Sequence, residues 1–424
     1  MPFHVRTIDP AETAAWFESV MTAFLDRSDA AAIAAEVVPL WDYRRVWAAF
    51  EGDTIVGTTR SWATELTVPG AVQLPGSAIA GVTVRPIHRR QGILSRLMTT
   101  ELDAARDRGD AVAMLYASEY PIYGRFGFGP AVPTATWTVS AADALLPVSA
   151  PPGIITFEPP SIATRDEVRR IFHAARARQP GEIWRREFTW DQDLGLRTTA
   201  WGPTWKGFVA LHRDPTWAPD GYVRYHVDDK WEQRQPRNVL QVDELHALSD
   251  EAYADLWRFL AQMDLVATVR AERRSPAERL PWLLTNARAA QMSESGDGMW
   301  LRLLDVPRAL EARSYDRTAS LVLDVVEGVV ESPTRLLLEA RPMGRPASRL
   351  RARRTSPCPC PRSRPPTWAA RGCAMPSWCT ARTSTAPARS PRPMPCSALR
   401  TCPGAPPASR ARRRSGRTAL PDCP

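Results

Sequence analysis

The residues best suited to chemistry lie between Gly81 and Leu94, in the run GVTVRPIHRRQGIL. The β-branched stretch reads as a strand, HRRQG as a turn, and the apolar residues from Ile93 as the start of a helix. A helix start leaves its first N–H groups unpaired and partly positive, so an anion seated there is held by main-chain donors. Arg89 and Arg90 add charge, and Gly92 admits close backbone approach. Two cations at a helix N-terminus oppose its dipole, at a cost of about 0.3–1 kcal/mol each, which an anionic ligand offsets. The pattern is therefore a phosphate-binding turn. Neither GxGxxG nor GxxxxGKS/T occurs, which points away from dinucleotides and P-loop nucleotides.

The elements that must position this turn follow from periodicity. Residues 11–25 form an amphipathic helix pattern, and 46–50, 54–61, 63–68 and 77–84 read as strands. After the turn, Ile93, Leu94, Leu97, Met98, Leu102 and Ala105 recur at helical spacing, and residues 111–117 return to a strand, as an α/β unit requires. A Pro-rich join at 147–152 precedes a second unit. Its expected elements are helices at 165–176 and 250–263 and strands at 207–212, 221–227 and 238–245, with no second RRxG turn. A third unit is expected to open at Trp300 with a strand and a short helix, followed by a strand at 319–326.

The net charge of +9 conceals a break. Of the 55 basic residues, 18 lie in residues 341–424, where there is one acid, Asp422, so the body is net negative and the tail strongly positive. All seven cysteines also fall in the tail. A cysteine-free body with only two lysines, Lys206 and Lys230, suggests a cytosolic protein of a GC-rich genome, without a disulfide framework. The N-terminus lacks a signal-peptide pattern, and no apolar run approaches the ~18 residues of a membrane span, so a soluble, cytoplasmic protein is expected. The six histidines show no metal spacing. The tail has CPC but neither CxxC nor histidine, so no metal is expected. Its charge would bind nucleic acid only nonspecifically. Loss of acids with excess Arg, Pro and scattered Cys is the signature of a GC-rich frame read out of phase, or of disorder.

With these residues in place, the chain resembles the GNAT-fold acetyltransferases, and within them the enhanced intracellular survival (Eis) family of aminoglycoside N-acetyltransferases. VTVRPIHRRQGIL resembles the acetyl-CoA motif, ASEYPIYGRFGFGPA the second signature, and WLLTNARAAQMSESGDGMWLRLLDVPRALEARSY the junction to a third domain. The general pattern Arg/Gln-x-x-Gly-x-Gly/Ala is met at Arg89 and Gly92, with Leu94 in the last place. The fold so implied is α/β (α+β). Tandem GNAT domains, each a mixed sheet flanked by helices, occupy 1–131 and 132–290, a sterol-carrier-like α+β domain starts at 291–340, and 341–424 is the tail.

The resemblance implies acetyl-CoA as co-substrate and direct attack by an amine through a tetrahedral intermediate. Val82, Thr83 and Val84 would run beside the pantetheine arm, Arg90, Gln91, Gly92, Ile93, Leu94 and Ser95 would enclose the pyrophosphate, and Ser118 and Glu119 would flank the thioester. Tyr123, otherwise a packed aromatic, would protonate the departing thiolate, and the Val84 N–H would polarise the carbonyl. Phe24 and Asp26 would line the acceptor pocket, Asp26 being equally readable as a solvated helix-end carboxylate. The family's base is the chain's terminal carboxylate, here that of Pro424, at the end of a tail that resembles no domain. The alternative is therefore an acetyl-CoA-binding protein with impaired or no catalysis. A small-molecule amine is the expected partner, with no specific nucleic acid and no membrane, and a homo-oligomer, a hexamer by resemblance, is the expected assembly.

Overall fold

The computed structural model describes residues 3–147, 153–326, 334–342 and 349–352. The chain begins with β1 (His4–Thr7), α1 (Thr13–Phe24), α2 (Ala30–Val37), β2 (Val46–Glu51), β3 (Thr54–Val68) and β4 (Val72–Val84). It continues through α3 (Ile93–Asp107), β5 (Val112–Tyr116), the one-turn α4 (Tyr120–Tyr123) and β6 (Gly129–Ser140). The second half holds β7 (Ile154–Glu158), α5 (Ile162–Arg176), α6 (Glu187–Asp193), β8 (Phe208–Arg213) and β9 (Pro219–Asp228). A short hairpin, β10 (Trp231–Glu232) and β11 (Gln235–Pro236), leads to β12 (Asn238–Ala247), α7 (Asp250–Ala261), β13 (Val266–Arg274), α8 (Leu280–Leu283) and β14 (Ala290–Leu303). After α9 (Val306–Glu311), a separate three-stranded sheet comprises β15 (Ala319–Val325), β16 (Thr334–Ala340) and β17 (Arg349–Ala352).

Twelve strands form one sheet in the order β1-β2-β3-β4-β5-β14-β6-β13-β12-β9-β8-β7. Each half repeats the same plan, a meander entering a parallel pair across a helix: β4 and β5 around α3, β12 and β13 around α7. Neighbours on β2 show how the sheet separates its layers. Val46, Ala48 and Phe50 pack with α1 and α2 (Trp16, Phe17, Ile33), whereas Ala49 packs with Ile93 and Leu97 of α3. Alternation along one strand thus puts α1–α2 and α3 on opposite faces. In α3, Ile93, Leu97, Met98, Leu102 and Ala105 are buried, as the helical spacing requires.

Three expectations change. Residues 54–68, expected as two strands, are one: a register shift between Thr58 and Arg60 absorbs an extra residue and the ladder runs on. β4 starts at Val72 rather than at 77, because GAVQLPG, turn-like in composition, pairs back onto β3 from Val68–Val72 onward. Trp300, expected to open a third unit, instead lies in β14, which inserts between β5 and β6 of the main sheet. Met299 and Trp300, on opposite faces of the strand, are both 2% exposed there, which a strand outside the sheet could not achieve. The terminal carboxylate expected of Pro424 lies outside the described residues.

Candidate active site

The parallel pairing of β4 and β5 is short: Gly76–Val112, Ser77–Ala113 and Ala78–Met114. Beyond it β4 continues to Val84 against β3, while β5 continues to Tyr116 against β14, so the two strands part into a wedge. The cause is local. Gly81 sits at the register shift with φ +62°, and a Cβ there would lie 2.5 Å from Trp16 Cη2. Only glycine lets β4 bend there while Trp16 packs beneath it. On the outer side, the Arg85 N–H donates to Val56 O at 2.9 Å. Backbone direction alternates along a strand, so the amides of Val84 and Val82 face the wedge. Thr83 points the other way, its hydroxyl 2.6 Å from that of Thr58.

At the wedge's mouth the chain turns into α3. Arg90 (φ +63°) and Gly92 (φ +82°) are both left-handed, a conformation uncommon for a non-glycine residue and often found where function demands it. Helices α5 and α7 start at Ser161 and Ser249, whose hydroxyls each take a backbone N–H at 3.1 Å. At α3 the N-cap is Gly92, with no side-chain cap. Among the described residues, the N–H groups of Gly92, Ile93, Leu94 and Ser95 have no acceptor, and Arg89, Arg90, Gln91 and Ser95 are exposed around them. Ile93, buried against Ala49, Val56 and Leu97, pins this donor set to the sheet. His88 is tied to Glu51, Nε2 to Oε2 at 3.2 Å, and takes no part in the cradle.

Tyr123 closes α4 and is 5% exposed. It packs in one cluster with Met98, Leu115, Phe126 and Phe128, against which Val82, Leu94 and Ala117 also lie, with Phe128 at 6.3 Å between ring centroids. The structure thus brings together one residue from the wedge strand, one from the helix start and the tyrosine. Ser118 and Glu119 are exposed in the turn between β5 and α4. Phe24 and Asp26 lie outside this cluster, at the end of α1. Phe24 is 38% exposed, and Asp26 Oδ1 accepts from the Arg27 and Ser28 N–H groups at 2.6 and 3.1 Å.

Periodicity gave no hint that the second half would wall this side. Residues 181–184 extend β3, with Gly181 N–H to Thr67 O at 2.8 Å and Trp184 N–H to Glu65 O at 2.9 Å. Trp201 meets Phe17 edge-on at 5.4 Å, and the Ala200 N–H donates to Glu36 Oε1 at 2.8 Å. These contacts bridge more than a hundred residues of sequence, beyond the reach of any local pattern. Among the described residues no group of three or more His, Cys, Asp or Glu is placed to hold a metal ion.

The wedge offers unpaired strand amides, and the cradle offers main-chain N–H groups with arginines beside them. An extended amide-bearing arm ending in phosphates fits both, which is the chemistry of coenzyme A. The comparisons with known proteins agree. The acetyltransferase (GNAT) domain family matches residues 4–131, and a second acetyltransferase (GNAT) domain family matches residues 181–303. An uncharacterized N-acetyltransferase of Streptomyces griseus is 41% identical over 347 residues, 80% of this chain and 83% of that one. The N-acetyltransferase Eis of Mycobacterium tuberculosis is 37% identical over 285 residues, 65% of this chain and 68% of that one. The crystal structure of Eis1 from Mycobacterium abscessus superposes with a TM-score of 0.70 at 30% identity, covering 84% of this chain and 86% of that one. With tandem GNAT domains, a wedge that opens onto an uncapped helix start, and this degree of likeness, the chain is an acetyltransferase that belongs to the Eis family of the GNAT superfamily.

Proposed function

We propose that this acetyltransferase uses acetyl-CoA to acetylate primary amines of aminoglycoside-like acceptors. The observation that carries the reading is the wedge between β4 and β5 opening directly onto the uncapped start of α3. Acetyl-CoA supplies an activated acetyl thioester. Residues Gly92 to Ser95 hold the pyrophosphate through their N–H groups, with Arg90 and Gln91 beside them, and Val82 and Val84 pair with the arm as a strand would. The Val84 N–H stands where it polarises the thioester carbonyl. Tyr123 protonates the departing sulfur, and Ser118 and Glu119 border the same end. The amine's proton passes to a base that the family resemblance assigns to the terminal carboxylate, here that of Pro424.

The acidic body favours a polycationic acceptor by its long-range field, and Asp26 with Phe24 forms the proposed contact surface for it. Sheet β15–β17 is read as the start of a sterol-carrier-like domain, and the assembly as a homo-oligomer, by resemblance a hexamer. Thiol release from acetyl-CoA across a panel of aminoglycosides and simple amines tests the proposal. Release that depends on the amine supports it; bound acetyl-CoA with no release for any amine overturns it.

A further inference from the structure

β14 comes from the second half of the chain yet runs beneath the tyrosine segment. Its Met299 pairs with Tyr116, the last residue of β5, and its Leu301 with Gly129, the first residue of β6. The segment from Ala117 to Phe128, which carries Tyr123, leaves one flank of β14 and returns on the other. It therefore arches over Trp300 and Arg302, which share one face of the strand.

Both side chains engage the arch. Trp300 is 2% exposed, belongs to the cluster that holds Tyr123, and meets the Tyr120 ring edge-on at 4.8 Å. Its indole N–H donates to Asp297, which fixes the ring's orientation. The Arg302 guanidinium donates through Nη1 to the carbonyl of Phe126. The adjoining Gly127 adopts φ +79°, and a Cβ there would stand 3.0 Å from Arg302 Nη1, so the turn is shaped around this cation. Two bonds close the same turn from within, Gly127 N–H to Gly124 O at 3.0 Å and Phe128 N–H to Tyr123 O at 3.3 Å.

We propose that Arg302, with Trp300 beneath it, is a positioning residue for Tyr123: by holding the Phe126 carbonyl it sets the arch and hence the place of the phenol relative to the wedge. The inference rests on the reading of Tyr123 as proton donor. A charge-assisted hydrogen bond to a backbone carbonyl is strong and directional, and a proton donor displaced by an ångström loses much of its effect. The consequence is that a strand encoded in the second half tunes the chemistry of the first.

The test compares Arg302→Met, Arg302→Lys, Tyr123→Phe and the double variant Arg302→Met/Tyr123→Phe. Steady-state kinetics, acetyl-CoA titration and thermal melting are measured for each. The expected result is a fall in kcat of about tenfold or more for Arg302→Met, with the KM for acetyl-CoA within about twofold because the cradle sits on α3. Arg302→Lys, which keeps a cationic donor, recovers part of the loss. The double variant is no slower than Tyr123→Phe alone, as expected of residues acting through one group. Unchanged kcat in Arg302→Met overturns the inference, and so does a loss that recurs in full on the Tyr123→Phe background. A Tyr123→Phe enzyme as fast as the parent overturns the proton-donor reading itself, and the inference with it. If Arg302→Met melts early, kcat is compared at a temperature well below both melting transitions, and a loss that follows only the fraction unfolded overturns the inference.

Discussion

Gly81 shows how a single residue decides whether a cofactor cleft exists. Its left-handed backbone breaks the register with β3, and its missing Cβ leaves space for Trp16. Gly81→Ala combines left-handed strain with overpacking and is expected to cost about 2–4 kcal/mol. The melting temperature should fall and the KM for acetyl-CoA should rise together, since β4 must straighten or Trp16 must move. A variant that melts like the parent and binds acetyl-CoA equally well contradicts this account of the wedge. At Tyr123 the expectation is reversed: Tyr123→Phe keeps the packed ring, so melting should barely shift while kcat falls about a hundredfold. Arg89 to Gly92 and Tyr123 were legible in sequence because turn chemistry and a short signature are local. The part Gly81 plays was not legible, because it depends on which β3 residue stands opposite it. That is a property of register, which no single strand encodes.

At the scale of elements, α3 must present its N-terminus at a fixed height, and its far end is held by a buried carboxylate. Glu101 is fully buried and accepts from Trp47 Nε1 at 2.8 Å, Ser77 Oγ at 3.1 Å and Arg108 Nη2 at 2.7 Å, joining the helix to β2 and β4. Arg45 adds a contact between its Nη1 and Asp110 at 3.5 Å. Glu101→Ala takes the acceptor from the Trp47 indole, the Ser77 hydroxyl and the half-buried Arg108, which keeps Asp110 at 3.5 Å, and a loss of about 1–3 kcal/mol is expected in denaturant unfolding. Glu101→Gln, which keeps an acceptor, should lose less. Glu101 stands among the apolar positions 97, 98, 102 and 105, and its partners on other strands leave no mark on the helical spacing. The second half has a comparable anchor in β12. Burial pushes the Glu244 carboxyl up, but the Arg185 and Arg224 guanidiniums and His246 outweigh it and hold the group well below its ordinary value of 4.5. Arg185 is itself stacked on Phe172 and Trp190, at 4.5 and 4.3 Å. A carboxyl depressed on folding stabilises the fold above its unfolded value and loses that contribution as pH falls through its folded one. The contribution of Glu244 is therefore fully present above about pH 4.5 and is withdrawn only in stronger acid. Urea midpoints between pH 7 and 3 should show a shallower acid slope in Glu244→Gln than in the parent, together with lower stability at pH 7. Parallel slopes would remove Glu244 from the pH response.

For the whole molecule the decisive fact is chain order. The family match for the first acetyltransferase domain ends at residue 131, where the resemblance also closes the first domain. The sheet does not: β6 runs on through 131 to Ser140, and β14 enters from residues 290–303 to stand between β5 and β6. The repeat of two similar halves was legible as alternating helix and strand patterns, but the exchange of a strand across them was not. Strand pairing over more than 150 residues leaves no mark on local hydrophobic spacing. Within the main sheet, β14 supplies the partner on one whole edge of β5, buries Met299 and Trp300 at 2% exposure each, and underlies the tyrosine arch. A fragment of residues 1–147 contains every cofactor-cradle residue named above, yet it strips β5 of its partner on one edge and β6 of its partners on both, and opens the cluster around Tyr123 to water. Unpaired edges and exposed apolar surface of that size favour aggregation or unfolding over a stable half-molecule. This fragment is expected to lack a cooperative melt and to bind acetyl-CoA too weakly for calorimetry, whereas residues 1–304 should do both. If residues 1–147 alone melt cooperatively and bind acetyl-CoA like the full chain, β14 is dispensable and the two halves are independent domains. If only the longer fragment does so, the cofactor site belongs to the continuous sheet, with its last wall supplied by a strand of the second half.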